Sequence, residues 1–302
     1  MTSEAADDSA PAGPPRSAWW LRAIACLPWW LMYAVASCLA FLALRVFPYR
    51  ERVVRENLSL AFPELNEPAL RALMYRYYLG FAQMLVELLK SAGMTEEQFR
   101  SRVAIHNAEL ARAQLAQGRP VLLIAAHQCN WEWMLLALSF ELGYPLDAAY
   151  KPLVNPWAER EMLALRSRFG CRLIPATTLL ADIIKRKGAP RAIAMVADQE
   201  PVSSERKHWT RFLNRDTAFF MGPEELTRVT RYAALFVAIR RLARGQYEME
   251  LKPLAEAGEP LAPGELTERY VRLVEEQIRA APADWPWSHK RWKLKKPLYA
   301  PK

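Results

Sequence analysis

Residues 121–126 read VLLIAA, and the chain continues as HQCNWE over residues 127–132 and as the apolar stretch WMLLALSFEL over residues 133–142. Six consecutive apolar residues are typical of a strand that is buried on both faces of a sheet. The longer apolar stretch that follows has the length of a helix. The sequence here predicts a strand, then a turn that carries polar side chains, and then a helix.

The rest of the chain repeats this alternation of short apolar runs and helical patterns. Runs of strand length occur at residues 146–150, 192–197 and 235–239. Residues 67–91 have apolar side chains at helical spacing, and Gly93 stands just beyond them as a stop signal. Strands that alternate with helices predict an α/β sheet with helices on its faces.

Composition excludes several classes of protein. The chain has 302 residues, of which 52% are apolar and 24% charged, and this balance excludes a disordered protein. The absence of a repeat with a period of 20 to 50 residues excludes solenoids and propellers. The four cysteines are Cys26, Cys38, Cys129 and Cys171. They lack the C-x2-C spacing of zinc sites, and they favour a reducing compartment.

The N-terminal region predicts a membrane attachment. Residues 1–22 begin with a Pro/Gly/Ala/Ser-rich stretch and are expected to be a disordered lead. Residues 23–44 contain no charge and are long enough for a transmembrane or membrane-anchoring helix, with a cleaved signal peptide and a buried core helix as alternatives. Basic residues cluster just after residue 44, which places residues 45–302 on the cytoplasmic side if the helix spans.

The C-terminal segment is strongly basic. Residues 285–302 contain aromatic side chains, no acid, and six basic residues: Lys290, Arg291, Lys293, Lys295, Lys296 and Lys302. This pattern suits an anionic membrane surface or a phosphorylated ligand. Nucleic acid is the weakest alternative, because no recognition motif accompanies the basic residues. The net charge of +9 is therefore interpreted as a surface for anionic lipid and not as a nucleic-acid footprint.

His127 stands at the carboxyl end of the predicted strand, where α/β folds bind their ligands. On one continuous helix His127 and Glu132 would point about 140° apart and could not pair. If His127 lies in the turn and Asn130 caps the helix, the two side chains can converge. A carboxylate on one imidazole nitrogen would then support general-base chemistry at the other. The spacing alone is weak, since most His-x4-Glu pairs lie in solvated turns.

Five ordered blocks of the chain resemble the lipid A biosynthesis acyltransferases, whose mark is H-x4-E in the form HFGNWE. These five blocks, which stand beside HQCNWE, are RVVRENLSLAFPE at 52–64, FAQMLVELLK at 81–90, YKPLVNP at 150–156, MVADQEP at 195–201, and residues 267–293, which contain EEQIRAAPADWPWSHKRWK. The resemblance covers nearly the whole chain after residue 20. It implies a mixed α/β sheet with helices on both faces, like that of glycerolipid acyltransferases, preceded by one N-terminal membrane helix.

The resemblance also implies an activity. A fatty acyl chain would pass from acyl carrier protein to a hydroxyl group of a lipid A precursor at the bacterial inner membrane, without a metal or a cofactor. His127 would deprotonate the hydroxyl, and Glu132 would orient His127. The residues expected to bind substrate, a phosphate or the developing oxyanion are Asn130, Lys151, Asn155, Asp198 and Gln199, and Asp198 could alternatively cap a loop. The supporting residues are Glu87, His289 and Arg291.

Two departures from the family pattern leave the acceptor open. Lys151 stands where the family usually has Arg, and Gln128 and Cys129 replace Phe and Gly. The acceptor could therefore be another glycolipid, and a membrane-binding relative without activity is the alternative from a different class. Cys129 also raises the alternative of a covalent intermediate, although the family needs no thiol there.

Overall fold

The computed structural model describes residues 18–202 and 206–296. A seven-stranded sheet in the order β1-β9-β8-β2-β5-β3-β4 forms its centre. The strands of this sheet are β1 (Val103–His106), β2 (Val121–Ala125), β3 (Leu146–Tyr150), β4 (Arg172–Pro175), β5 (Ala192–Val196), β8 (Ala233–Ala243) and β9 (Gln246–Ala255). Only the pairing of β8 with β9 is antiparallel. The predicted mixed sheet is confirmed.

The strand predicted at residues 121–126 lies in the middle of the sheet. β2 pairs in parallel with β5 on one side and with β8 on the other, and all five of its residues are buried. The four strands predicted from apolar runs are β2, β3, β5 and β8. Of the strands that were not predicted, β1 and β4 form the two edges of the sheet and β9 lies between β1 and β8, while β6 (Lys207–Phe212) and β7 (Arg215–Phe220) form a separate hairpin.

Helices cover both faces of the sheet and bury two hydrophobic cores. One face packs against α4, α9 and α11, and the other against α6, α7 and α8. The helices are α1 (Trp19–Ala25), α2 (Trp29–Phe41), α3 (Glu51–Ala61), α4 (Glu67–Ser91), α5 (Glu96–Arg100), α6 (Ala108–Ala116), α7 (Trp131–Glu141), α8 (Pro156–Arg166), α9 (Leu179–Lys185), α10 (Gly222–Thr230) and α11 (Glu265–Ala280). The helix predicted over residues 67–91 has the observed bounds of α4.

The predicted N-terminal apolar helix is present, but it begins at Trp29 and not at residue 23, because the uncharged segment is interrupted at Pro28 after the short helix α1. Pro28, which has no N–H to donate, follows the short link after α1 and occupies the N-cap position of α2. Among the described residues, Trp29–Val46 is the one helical stretch long and apolar enough to cross a membrane, and its last turn, Leu42–Val46, is π-helical. Residues 18–22 of the expected disordered lead are largely helical, and residues 1–17 lie outside the described residues.

The C-terminal segment is only partly a basic surface. Trp285, Trp287 and Arg291 are buried, while the neighbouring lysines up to Lys296 are exposed. Tyr77 and Asn57 hydrogen-bond this segment to α4 and α3. The segment therefore returns to the core, and Lys302 lies outside the described residues.

Candidate active site

The side chain of His127 lies just beyond the carboxyl end of β2 and is held by a carboxylate from the end of β5. The Nδ1 atom of His127 is 2.6 Å from Oδ1 of Asp198, and the main-chain N–H of His127 donates to the same oxygen at 3.1 Å. Parallel pairing brings these two strand ends together, since Ala125 is in register with Val196. Two segments 71 residues apart thus meet at the carboxyl edge of the sheet, where α/β proteins bind ligands.

Asp198 is almost fully buried and is itself fixed by the C-terminal segment. Trp285 Nε1 donates to Oδ2 of Asp198 at 2.8 Å, and Arg291 Nε donates to its main-chain oxygen at 2.6 Å. Burial would raise the pKa of Asp198, but the charge and hydrogen bonds of His127, together with the Trp285 bond, lower it below the usual value. Asp198 is therefore an ionised carboxylate that accepts a hydrogen bond from Nδ1 of His127. This bond fixes the His127 tautomer in which Nδ1 carries the proton and Nε2 carries the free lone pair.

The expected pairing of Glu132 with His127 is not what the structure contains. Glu132 accepts two hydrogen bonds from Arg166, at 2.8 and 2.6 Å, and one from Nε1 of Trp131 at 3.1 Å. The physical reason is the bidentate match between a guanidinium and a carboxylate, which a single imidazole N–H cannot equal. Asp198 therefore takes the orienting position that the sequence had assigned to Glu132.

Glu132 remains close to the site through its neighbours. The Trp131 indole packs edge-on against the His127 ring, with the ring centroids 5.2 Å apart. Glu132, Arg166 and Trp131 line the same cavity as His127. Sequence analysis missed Arg166, because an isolated arginine at the end of a helix gives no signal of a buried partner 34 residues away.

Asn130 caps α7 as predicted, and this bond fixes the turn after His127. Its Oδ1 accepts from the main-chain N–H of Trp133 at 3.1 Å, and its Nδ2 donates to Oε2 of Glu87 at 3.0 Å. Asn130 is fully buried, with both polar groups of its side chain bonded to protein. The expectation that Asn130 binds substrate was therefore wrong, and its place is structural.

Glu87 is a buried carboxylate whose two oxygens are fully hydrogen-bonded. Besides Asn130, it accepts from the hydroxyl groups of Tyr33 and Tyr247 and from the main-chain N–H of Gly245. Its main-chain oxygen accepts from Trp133 Nε1 at 3.1 Å. Glu87 thus joins α2, α4, α7 and the β8–β9 turn beneath the turn that follows His127.

Gln128 and Cys129 point into the protein and not toward a substrate. Gln128 Nε2 donates to the main-chain oxygen of Ala281 at 3.2 Å. Cys129 has a φ of +49°, in the left-handed region where glycine is least strained. Burial raises the pKa of its thiol well above the usual value, so the thiol is no nucleophile in the neutral range.

The other expected binding residues are divided between the cavity and the framework. Lys151 and Gln199 line the cavity, and Gln199 Nε2 lies 3.4 Å from Nε2 of His127. Asn155 caps α8 through its Oδ1, which accepts from the main-chain N–H groups of Trp157 and Ala158, and its expected role beside Lys151 stays a prediction. Burial and the nearby Arg291 lower the pKa of His289, whose buried Nε2 has no hydrogen-bond partner among the residues that the structure describes.

A cavity of about 1330 Å³ opens beside His127. Side chains of α7, α8, α9 and α10 and of the central strands line it, and most of its lining is apolar. Four cationic side chains, Lys151, Arg166, Arg206 and Arg228, also line it, and Arg166 among them is paired with Glu132. Within residues 18–202 and 206–296, no group of three or more His, Cys, Asp or Glu side chains is placed to hold a metal ion.

An α/β fold with a carboxylate-held histidine beside a large, mostly apolar cavity suits an enzyme that binds an apolar substrate next to a general base. A sequence family described as bacterial lipid A biosynthesis acyltransferase matches residues 17–294. The chain belongs to this acyltransferase family.

Curated relatives agree with the family. The chain is 26% identical over 272 residues to the lipid A biosynthesis lauroyltransferase of Escherichia coli K12, which covers 89% of this chain and 87% of that protein. It is 23% identical, with the same coverage, to the lipid A biosynthesis palmitoleoyltransferase of the same strain and to a lipid A biosynthesis acyltransferase of Shigella flexneri. The resemblance stated from the five sequence blocks is confirmed.

Proposed function

We propose that this protein transfers a fatty acyl chain from acyl carrier protein to a hydroxyl group of a lipid A precursor at the cytoplasmic face of the bacterial inner membrane. The observation that carries the proposal is the 2.6 Å contact of Asp198 with Nδ1 of His127, whose side chain lines the apolar cavity. The family membership supports acyl transfer, and the names of the relatives support lipid A as the acceptor.

The residues suit a direct transfer. Asp198 holds the Nδ1 proton, so Nε2 of His127 accepts the proton of the acceptor hydroxyl. The hydroxyl oxygen forms its bond to the thioester carbonyl carbon, the carbon–sulfur bond breaks, and the thiolate of the carrier leaves with the proton from His127. No acyl-enzyme is needed, and the buried thiol of Cys129 is not placed to form one.

Cations around the cavity suit the anionic groups of both substrates. Lys151, Arg206 and Arg228 line the cavity, and the exposed side chain of Arg206 forms an ion pair with Glu225 at 3.0 Å. A phosphorylated glycolipid and an acidic carrier protein both bring negative charge to this opening. Lys151 is the residue proposed to contact a phosphate or the developing oxyanion.

The position of the N-terminal helices supports attachment to the membrane next to the cavity. Trp20 of α1 stacks on Trp157 of α8, with the centroids 5.5 Å apart. Val154, just before α8, is fully exposed and lines the cavity opening. Trp30 and Phe41 of α2 are also largely exposed. An acceptor lipid could therefore enter the cavity from the bilayer in which these apolar side chains lie.

The identity of the acceptor depends on the cavity and not on the altered turn. Gln128 and Cys129 are buried on the protein side of His127, so their departure from the family pattern does not alter a substrate contact. Lys151 does line the cavity, and it keeps another glycolipid acceptor as the alternative.

The proposal is tested with the purified full-length protein, acyl carrier protein thioesters and a lipid A precursor, with products weighed by mass spectrometry. We expect His127→Ala to lower the transfer rate by about a thousandfold or more. His106→Ala, which alters an exposed histidine of β1, is the matched control and should leave the rate unchanged. Full activity in His127→Ala would refute the proposed mechanism. Lipid binding without turnover by the unaltered protein would favour the non-catalytic alternative.

A further inference from the structure

Part of the cavity lies between α7 and the central sheet. Strands have a side-chain period of two, and the lining of β2, β3 and β5 on this face comes from alternate residues. These lining residues are Leu123 and Ala125 of β2, Ala148 and Tyr150 of β3, and Ala194 and Val196 of β5. Met134, Leu135 and Leu138 of α7 line it from above.

The pocket ends at one continuous row of side chains across the sheet. Leu123 is in register with Ala194, Ala194 with Ala148, and Ala148 with Leu173. All four line the cavity. In the next row, Val121, Ala192 and Leu146 are also in register but do not reach the cavity. The row from Leu123 to Leu173 is therefore the deepest that a ligand can touch.

The depth of this pocket follows from the geometry of its walls. Leu123 precedes His127 by four residues on an extended strand, a separation of roughly 13 Å at 3.3 Å per residue. Leu138 lies seven residues into α7 from Trp131, or about 10 Å along the helix. An apolar chain that starts at His127 would thus run down the sheet under α7 until it meets this row.

The two central positions of the row are alanines, flanked by leucines. Ala194 lies on a central strand and is nevertheless only partly buried, because the cavity opens over it. Leu138, on the opposite wall, is only 2% exposed. Small side chains on one wall and a large one on the other leave a slot with a defined end.

We infer that Ala148, Ala194 and Leu138 set the length of the acyl chain that the protein accepts. This inference rests on the proposed acyl transfer. The carbonyl carbon lies at His127, the chain follows the sheet, and its terminal methyl group meets the row that contains Ala148 and Ala194. A chain longer than the pocket must displace packed side chains, and a shorter one leaves a void.

The test uses the full-length protein and saturated donors of increasing chain length on acyl carrier protein. Ala194→Leu places a larger side chain at the end of the pocket, where the cavity has room for it. We expect its preference in kcat/KM to move to shorter donors, with a loss of about tenfold or more for the donor that unaltered protein prefers. Leu138→Ala deepens the opposite wall and should move the preference to longer donors. Ala181→Leu, the same change at an exposed position of α9, is the control.

A second measurement separates this inference from the proposed function. Saturated fatty acids of increasing length compete with a fluorescent fatty acid for the purified protein, and Ala194→Leu should favour shorter competitors. Chain-length profiles in Ala194→Leu and Leu138→Ala that match the unaltered protein in both assays overturn the inference. Absence of transfer by the unaltered protein from every donor overturns the proposed function, while a shifted competition profile would still support the pocket.

Discussion

Asp198 and Glu132 are two buried acids beside His127, and they differ in what they bind. Asp198 follows a strand and accepts hydrogen bonds from His127 and from the neutral indole of Trp285. Glu132 lies in the first turn of α7 and is paired with the guanidinium of Arg166. Both acids are at most 4% exposed, so burial does not distinguish them.

The two acids differ in whether a neighbouring cation already balances their negative charge. The charge of Glu132 is neutralised by Arg166 at 2.6 Å. The Asp198 carboxylate is hydrogen-bonded by two side chains, His127 and Trp285, and the Trp285 indole is neutral. Asp198 can therefore stabilise an imidazolium, whereas Glu132 fixes Arg166 and Trp131 around it.

The largest effect that sharpens this comparison is expected for Asp198→Asn. The amide keeps the shape of the side chain but removes the negative charge and allows the wrong imidazole tautomer. We expect kcat to fall by about 10³- to 10⁴-fold. Because the imidazolium loses its counter-charge, the acid limb of the pH–rate profile should also move to lower pH. Asp216→Asn, at an exposed position of β7, is the control, and an unchanged profile in Asp198→Asn would break the comparison.

A smaller effect is expected for Glu132→Gln. This change leaves Arg166 unpaired in the cavity wall and weakens the bond to Trp131, which packs on His127. Loss of a hydrogen bond between charged groups costs about 1.5–3 kcal/mol, which corresponds to a rate loss of roughly ten- to hundredfold if it is felt in the transition state. The acid limb of the pH–rate profile should stay in place. A shift equal to that of Asp198→Asn would show that Glu132 supports the imidazolium directly.

The smallest effect on catalysis is expected for Glu87→Gln, at a third buried acid that does not contact His127. All four donors around Glu87 need a carboxylate oxygen, and an amide N–H₂ would face two of them. We expect a loss of about 3–5 kcal/mol in the free energy of unfolding, measured by denaturant titration. Glu64→Gln, at an exposed position, is the control. Unchanged stability in Glu87→Gln would contradict the structural role of this cluster.

Local patterns were sufficient for those parts of the site that lie within one segment. The apolar run at residues 121–126 and the polar turn after it predicted β2 and the position of His127. The cap of α7 by Asn130 was also readable, because an N-cap and its helix are adjacent in the chain. The bounds of α4 followed from apolar spacing and from the stop signal at Gly93.

The partners of these residues were not readable, because they come from distant segments. The sequence placed Glu132 on His127 since it is five residues away, but Arg166 binds Glu132 more favourably. Asp198 was expected only as a substrate-binding residue or a loop cap. The break at Pro28 was underestimated, because the absence of charge over residues 23–44 suggested continuity.

The sequence by itself determined the alternating fold, the apolar N-terminal segment, the histidine at a strand end and, through five ordered blocks, the acyltransferase family. These depend on local composition and spacing. Only the tertiary structure decided which acid holds His127, why Cys129 is inert, and where the pocket ends. Those features depend on the register between parallel strands and on the packing of the C-terminal segment, which joins side chains that the chain itself keeps far apart.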